Sequence, residues 1–546
     1  MDWPKALPEP TSPHSNFAAL VQLRSSRPIA WMCGFVLIAS LTLGGGTRSG
    51  FLSDAILQLI ATPLLLIALW RNFAVDTAIA HRSARAALAF ASAYVLIPAL
   101  QLIPLPPTIW TLLPGRDFLV EAHTLTNRVL PSWPISVAPQ ATWLGLVSLV
   151  VPLSIFLTAL QLERRERRAL SLAILAVGVA SVFLGLLQLA QGPNSPLRFF
   201  AITNPTEAVG FFANRNHFAA LLYCLTLLAA AWTVHFGTQL TIASTRQSYD
   251  TPLILALFAG LAITVSLIAA QIMTRSRAGM VLAILALLGI LALGIRDRTN
   301  VHALAPVRLM AGAVGIAFVL GIQFALYRVV DRFGTDPLED ARIPLARTTF
   351  EAAINHLPFG SGAGTFVPVY KTFEKVDDAF GAYVNRAHND VLEVILEAGL
   401  PALALMSIFL LWLIRRTIAL WRAKPPPGGE IDLLLAQASA LALALLAAHS
   451  FVDYPLRTAA MMAFSSFAAA LLFEPPDEPK APLRPKAEPR KKRKSMDPQR
   501  KMPQTTIYDP AFRQRDENDW SDFQWPDAWR GDGRVQARKP KATQST

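Results

Sequence analysis

The segment TPLILALFAGLAITVSLIAAQIM, residues 251–273, carries no charge. At about 1.5 Å per helical residue it is long enough to cross a hydrocarbon core of roughly 30 Å. Lipid offers the backbone no water, so a run of this kind must be helical. Outward from it, the same reading picks out residues 29–46, 51–70, 84–103, 141–162, 169–190, 216–236, 278–295, 309–330, 392–414, 431–449 and 458–473. The expectation is an all-α polytopic membrane protein of about twelve transmembrane helices.

Composition agrees. The chain has 546 residues, 53% hydrophobic and 16% charged, against roughly 25% charged in a soluble domain. Mean hydropathy is +0.39. One helical membrane domain over 29–473 therefore fits better than a string of soluble domains. Residues 1–28 form a polar leader with Lys5, Arg24 and Arg27. The run after it is too long for a signal-peptide core and lacks an A-x-A site, so an uncleaved first span is expected. Residues 474–546, rich in proline and charge, are expected to be a disordered basic tail. Its Arg490, Lys491, Lys492, Arg493 and Lys494 suit anionic lipid. Trp520, Phe523, Trp525 and Trp529 could engage a cytoplasmic partner. Cys33 and Cys224 lie in separate apolar runs, which argues against a disulfide or a metal pair.

The formal charge of +13 sits largely in short loops and in the tail, where it reports topology before it reports nucleic acid. With a cytoplasmic N-terminus, alternation places the basic connections 163–168 (ERRERR), 296–308 and 415–430 in the cytoplasm, and an even number of spans returns the tail there. The opposite face receives the longer connections 104–140, 191–215 and 331–391. It also receives arginines that the charge rule does not explain: Arg215, Arg275, Arg277, Arg342, Arg347 and Arg457. Asp54, Arg328, Glu393 and Glu397 lie toward the same ends of their spans. Intramembrane charge is costly and usually marks function.

Individually each arginine is an ordinary interface anchor. Together they suit a diphosphate, because guanidinium clamps phosphate bidentately and stays charged. The connection 331–391 ends in Ala387-His388-Asn389-Asp390-Val391-Leu392-Glu393. One reading is a helix start, with Asn389 or Asp390 as N-cap and a carboxylate downstream. Another adds His388 as a proton acceptor beside a helix N-terminus that favours an anion. His388, Asp390 and Glu393 as metal ligands match no standard spacing. Gly360, Gly362 and Gly364 follow no clear strand and precede no GK[ST], so a tight turn is the stronger reading. Gly399-Leu400-Pro401 should kink the following helix. Asn214-Arg215-Asn216 opens the span at 216–236, and Asp453 and Arg457 occupy a short loop on the same face.

Asn214-Arg215-Asn216, Ser276-Arg277, Pro358-Phe359-Gly360-x-Gly362, and His388-Asn389-Asp390-x-Leu392-Glu393 followed by Glu397-x-Gly399-Leu400 together resemble the O-antigen ligase and polymerase superfamily. Gln101-Leu102-Ile103-Pro104-Leu105-Pro106 resembles a pattern of ligase-annotated members. The resemblance spans residues 30–473; Val391 and Pro401-Ala402 depart from it. It implies a GT-C-like fold in the bacterial inner membrane with a periplasmic active face. It also implies glycan transfer from undecaprenyl diphosphate to a lipid A core sugar, or to another repeat unit in polymerases, without nucleotide sugar, metal or other cofactor. Arg215 and Arg347 or Arg342 would then hold the diphosphate, with Arg275 and Arg277 as further candidates. His388 would orient or deprotonate the acceptor. Asn214, Asn216, Asn389, Asp390, Glu393, Asp453 and Arg457 would support them. The implied partners are the lipid-linked donor, the glycan acceptor and membrane lipids, with no nucleic acid. Transfer onto protein hydroxyls is a further possibility. A transporter would need charge near the midplane, which the spans lack.

Overall fold

The computed structural model describes residues 27–48, 52–74, 82–126, 128–245, 250–295, 337–375 and 384–474, with Gly312 and Gly315. Among the described residues, eight helices are long and apolar enough to cross a membrane. They are α2 (Leu52–Ala74), α6 and α7 together (Pro139–Ser148, Val150–Gln161), α8 (Arg164–Gln191), α9 (Arg215–Thr245), α10 (Thr251–Met273), α11 (Arg277–Ile295), α14 (Asp390–Arg422) and α15 (Glu430–His449). Three shorter apolar helices, α1 (Arg27–Leu43), α3 (Arg82–Gln101) and α16 (Ala459–Leu471), fall on other apolar runs of the sequence. Apart from Gly312 and Gly315 the run at 309–330, with Arg328, lies outside the described residues, as do the leader up to Ser26 and the tail beyond Glu474. The protein is thus a multi-pass, all-α membrane protein.

Local chemistry explains the breaks. Pro152 has no N–H to offer the carbonyl of Ser148, where α6 ends and α7 follows after Leu149. Four helices lie in the long connections 104–140 and 331–391: α4 (Pro107–Trp110), α5 (Asp117–Leu125), α12 (Pro337–Asn355) and α13 (Phe366–Phe373). Pro104–Leu105 (β1) pairs antiparallel with Trp133–Pro134 (β2) and clasps the 104–134 connection.

Helix α9 is apolar on every side and lies at the centre, contacting α8, α10, α11 and α15. Gly178 of α8 faces Leu225, and Gly260 of α10 faces Thr233; a Cβ at either would collide with its neighbour. Missing side chains let these helices close. A second layer forms around α7, against α1, α2 and α16.

The two ends of the bundle are built differently. At one end Arg167, 4% exposed, donates to the carbonyls of Leu160, Leu162, Ala470 and Phe473, and so caps the C-termini of α7 and α16. Arg416 adds a bond to Leu472 O at 2.6 Å, and Arg168 grips Asp432 through two bonds of 2.7 Å. Part of the ERRERR charge that read as topology therefore has a structural use.

At the other end α14 is broken. Gly399 has φ 61° and ψ −152°, a conformation open essentially to glycine alone. The freed carbonyls of Leu396 and Glu397 accept from Ser361 N (2.9 Å) and Gly362 N (2.8 Å), and Leu400 N returns a bond to Pro358 O (2.9 Å). The glycine turn and the helix kink are one joint. Gln101 locks it: its amide donates to Glu397 O (2.9 Å) and Phe359 O (3.1 Å) and accepts from Ala363 N (2.9 Å). Buried Arg116, lowered by burial to about 10 and so still charged at neutral pH, donates to Gly360 O at 3.0 Å.

Candidate functional site

The joint fixes the start of α14, where the ionised side chains gather. Asn389 is the N-cap, accepting from Leu392 N at 3.0 Å. Glu393 does not close a capping box; its Oε2 accepts from Ala387 N at 2.9 Å instead. That bond helps hold His388 at φ 50°, a left-handed conformation uncommon for a residue with a side chain. Strain at one histidine beside a buried carboxylate is a pointer to function.

That carboxylate is Asp453, fully buried in the loop between α15 and α16. Its Oδ1 lies 3.4 Å from His388 Nδ1 and accepts from Tyr454 N at 2.9 Å. Asn216 donates to Oδ2. Burial alone would raise the Asp453 pKa, but contact with His388 and the nearby His217 and His449 outweighs it. The carboxyl is held well below the usual range. The Tyr454 ring stands edge-on between His388 and His217, with centroids 4.9 Å and 4.8 Å away.

A second network adjoins the first. Arg457 bonds Asp390 through Nε (3.0 Å) and Glu397 through Nη1 (2.7 Å), with Glu393 at 3.4 Å. Burial works against its charge, but Glu393, Glu397 and Asp390 hold the guanidinium well above its ordinary value. Arg386 bonds Glu393 at 2.8 Å. Asp390 N donates to Ser450 O at 2.8 Å and to Asp453 O at 3.4 Å, and the second bond joins the two networks. The carboxylates Asp390, Glu393, Glu397 and Asp453 outnumber the guanidiniums Arg386 and Arg457, so the cluster is acidic before His388 is counted.

The sequence-derived candidates divide accordingly. His388, Asn216, Asn389, Asp390, Glu393, Asp453 and Arg457 come together, and Asn214 bonds Tyr454 beside them. Arg215 opens α9 but pairs with buried Glu207 at 2.8 Å. Arg275, at φ 51°, and Arg277 occupy the α10–α11 turn. Arg342 lies on α12, near enough to act electrostatically on His449. Arg347 is exposed on α12. Sequence reasoning missed Arg386, although it stands two residues before His388, and His217, one residue after Asn216. It also missed His449, whose Nδ1 lies 3.1 Å from Tyr223 OH.

Beside the cluster opens a cavity of about 910 Å³. Arg48, Asp54, Arg386, Asp390, Glu397 and Arg457 line its polar end; Phe90, Met406, Phe409, Trp412 and Phe473 line its apolar length. Past the break at Gly399, from Ala402 to Trp412, the wall of α14 runs about 15 Å at helical rise.

Fold and site define a polytopic helical membrane protein with a buried ionised cluster at the mouth of an amphipathic cavity. Residues 262–407 match the family model Wzy_C, O-Antigen ligase, and the match supports the O-antigen ligase superfamily. It reaches from α10 through His388 into α14, and leaves Arg215, Asp453 and Arg457 outside. Among curated proteins none matches the chain.

Proposed function

We propose that the protein is an O-antigen ligase-like glycosyltransferase that moves a glycan from undecaprenyl diphosphate to a hydroxyl of a lipid A core sugar. The reaction is placed at the periplasmic face of the inner membrane, with both termini cytoplasmic. The observation that carries this reading is the amphipathic cavity, polar at one end and apolar for most of its length, with Arg386 and Asp390, on either side of His388 in sequence, in its charged mouth. An isoprenoid tail suits the apolar wall and a diphosphate suits the mouth.

With His388 Nδ1 turned to Asp453, Nε2 keeps the lone pair that can take a proton. The acceptor hydroxyl oxygen attacks the anomeric carbon of the donor sugar as its proton passes to Nε2. The anomeric C–O bond to diphosphate breaks and its electron pair leaves on the diphosphate oxygen. Asp453 is the counter-charge for the imidazolium that results. Because the cluster is acidic, an incoming diphosphate needs further cations. Arg48 at the mouth, with Arg215, Arg275, Arg277 and Arg342 on the same end of the bundle, is assigned that work. Arg347 is assigned an outer contact with donor or acceptor.

The assignment is tested in the host by deletion. A ligase leaves full-length polymer on the lipid carrier and an unsubstituted core. A polymerase of the same fold leaves single repeats instead. Unchanged lipopolysaccharide and unchanged carrier-linked glycan would refute both.

A further inference from the structure

The connection between α8 and α9 is built as a rigid platform. Buried Gln188 donates to Gly210 O (2.8 Å) and Leu197 O (2.9 Å) and accepts from Gly210 N (3.0 Å) and Val209 N (3.2 Å). Arg198 Nη1 adds bonds to Asn204 O (2.8 Å) and Glu207 O (3.0 Å). A segment held this firmly nevertheless leaves Phe199 56% exposed. Its ring lies nearly parallel to Phe211, at 6.2 Å and 10°.

Two independent contacts join the platform to the site. Glu207, whose carbonyl accepts from Arg198, is the ion-pair partner of Arg215. The backbone of Phe211 lies against Gly45, Ala213 N donates to Gly45 O at 3.0 Å, and the next residue, Gly46, lines the cavity. The platform therefore borders the mouth where the sugar end of a lipid-linked glycan would emerge.

We propose that Phe199 and Phe211, on the backbone that Arg198 braces, form a subsite that stacks a pyranose ring of the glycan. A pyranose has an apolar face of C–H groups, which the aromatic pair matches. The inference deepens the glycosyltransferase reading and rests on it. The sugar belongs either to the donor glycan or to the acceptor oligosaccharide. Burial of Phe199 in the bilayer interface is the competing fate of an exposed aromatic.

The test uses full-length protein in detergent and in nanodiscs, as wild type, Phe199→Ala and Phe199→Trp. With each glycan substrate varied in turn, Phe199→Ala raises KM for one of them about three- to tenfold, the size of a lost aromatic stack, with kcat within about twofold. Phe199→Trp keeps the wild-type KM. The substrate whose KM moves identifies donor or acceptor. Unchanged KM for both, or an effect seen in nanodiscs and absent in detergent, overturns the subsite. Saturation-transfer NMR with free repeat-unit and core oligosaccharides needs no turnover, so it separates this inference from the reaction itself. Contacts to pyranose C–H protons appear in wild type and vanish in Phe199→Ala; contacts that persist in the variant refute the stacking.

Discussion

Replacing Asp453 by Asn tests the pairing on which the chemistry depends. The side chain is fully buried, with Asn216 donating to one oxygen and Tyr454 N to the other, which also faces His388. An amide must turn its NH2 toward one of these donors, and it offers the imidazolium no charge. Losing one hydrogen bond to a charged group is worth about 1.5–3 kcal/mol. If that stabilisation develops as the proton reaches His388, kcat falls roughly ten- to 150-fold. Since burial is outweighed and the Asp453 carboxyl stays well below the usual range, the carboxylate itself does not titrate between pH 5 and 8. Its depressed value adds stability that is complete above the ordinary carboxylate pKa of about 3.9 and is lost only as pH falls through the folded value. The assay is initial transfer rate on detergent-purified protein whose melting temperature is recorded in parallel. A variant with wild-type rate refutes the dyad.

Other expectations follow from the same geometry. Arg457→Leu strands Asp390, Glu393 and Glu397 without their shared cation and destabilises by about 3–5 kcal/mol, read from denaturant or thermal melts. In Gly399→Ala the new Cβ would meet Pro358 O at 2.1 Å, and the backbone conformation there suits only glycine. The variant loses at least about 1–3 kcal/mol, and loses activity as Glu397 shifts. Arg167→Ala removes caps from α7 and α16 at the far end; it lowers stability by about 2–3 kcal/mol while kcat per folded molecule stays at the wild-type value.

Much of the helical layout was legible because it depends on local facts. Apolar runs such as 251–273 fix where a helix can cross lipid, and Asn389 before a run of helix formers announces an N-terminus. The glycine turn at 360–364 and the kink at Gly399 were each readable alone. Their union was not, since it is made by backbone N–H and C=O groups that every residue carries. The same limit applies to charge. Sequence showed that arginines collect on one face, but not that Arg215 meets Glu207, that Arg457 holds three acids, or that Arg167 caps helices. Arg457 lies 60 or more residues from Asp390 and Glu397, and even Arg215 and Glu207, eight residues apart, meet only because the connection between them folds back. Arg386 and His217 were overlooked for a simpler reason: each sits beside a residue already singled out and was read as its flank.

The central claim is that His388, with Asp453 behind it, accepts the proton of an acceptor hydroxyl while a lipid diphosphate departs. The most direct measurement is transfer of glycan from undecaprenyl diphosphate to lipid A core by purified full-length protein, with EDTA present, as wild type, His388→Ala and Arg215→Ala. Wild type transfers and releases undecaprenyl diphosphate in equal amount, and both variants fall by orders of magnitude while remaining folded. Full activity in His388→Ala would contradict the account of the base, and full activity in both variants would contradict the site.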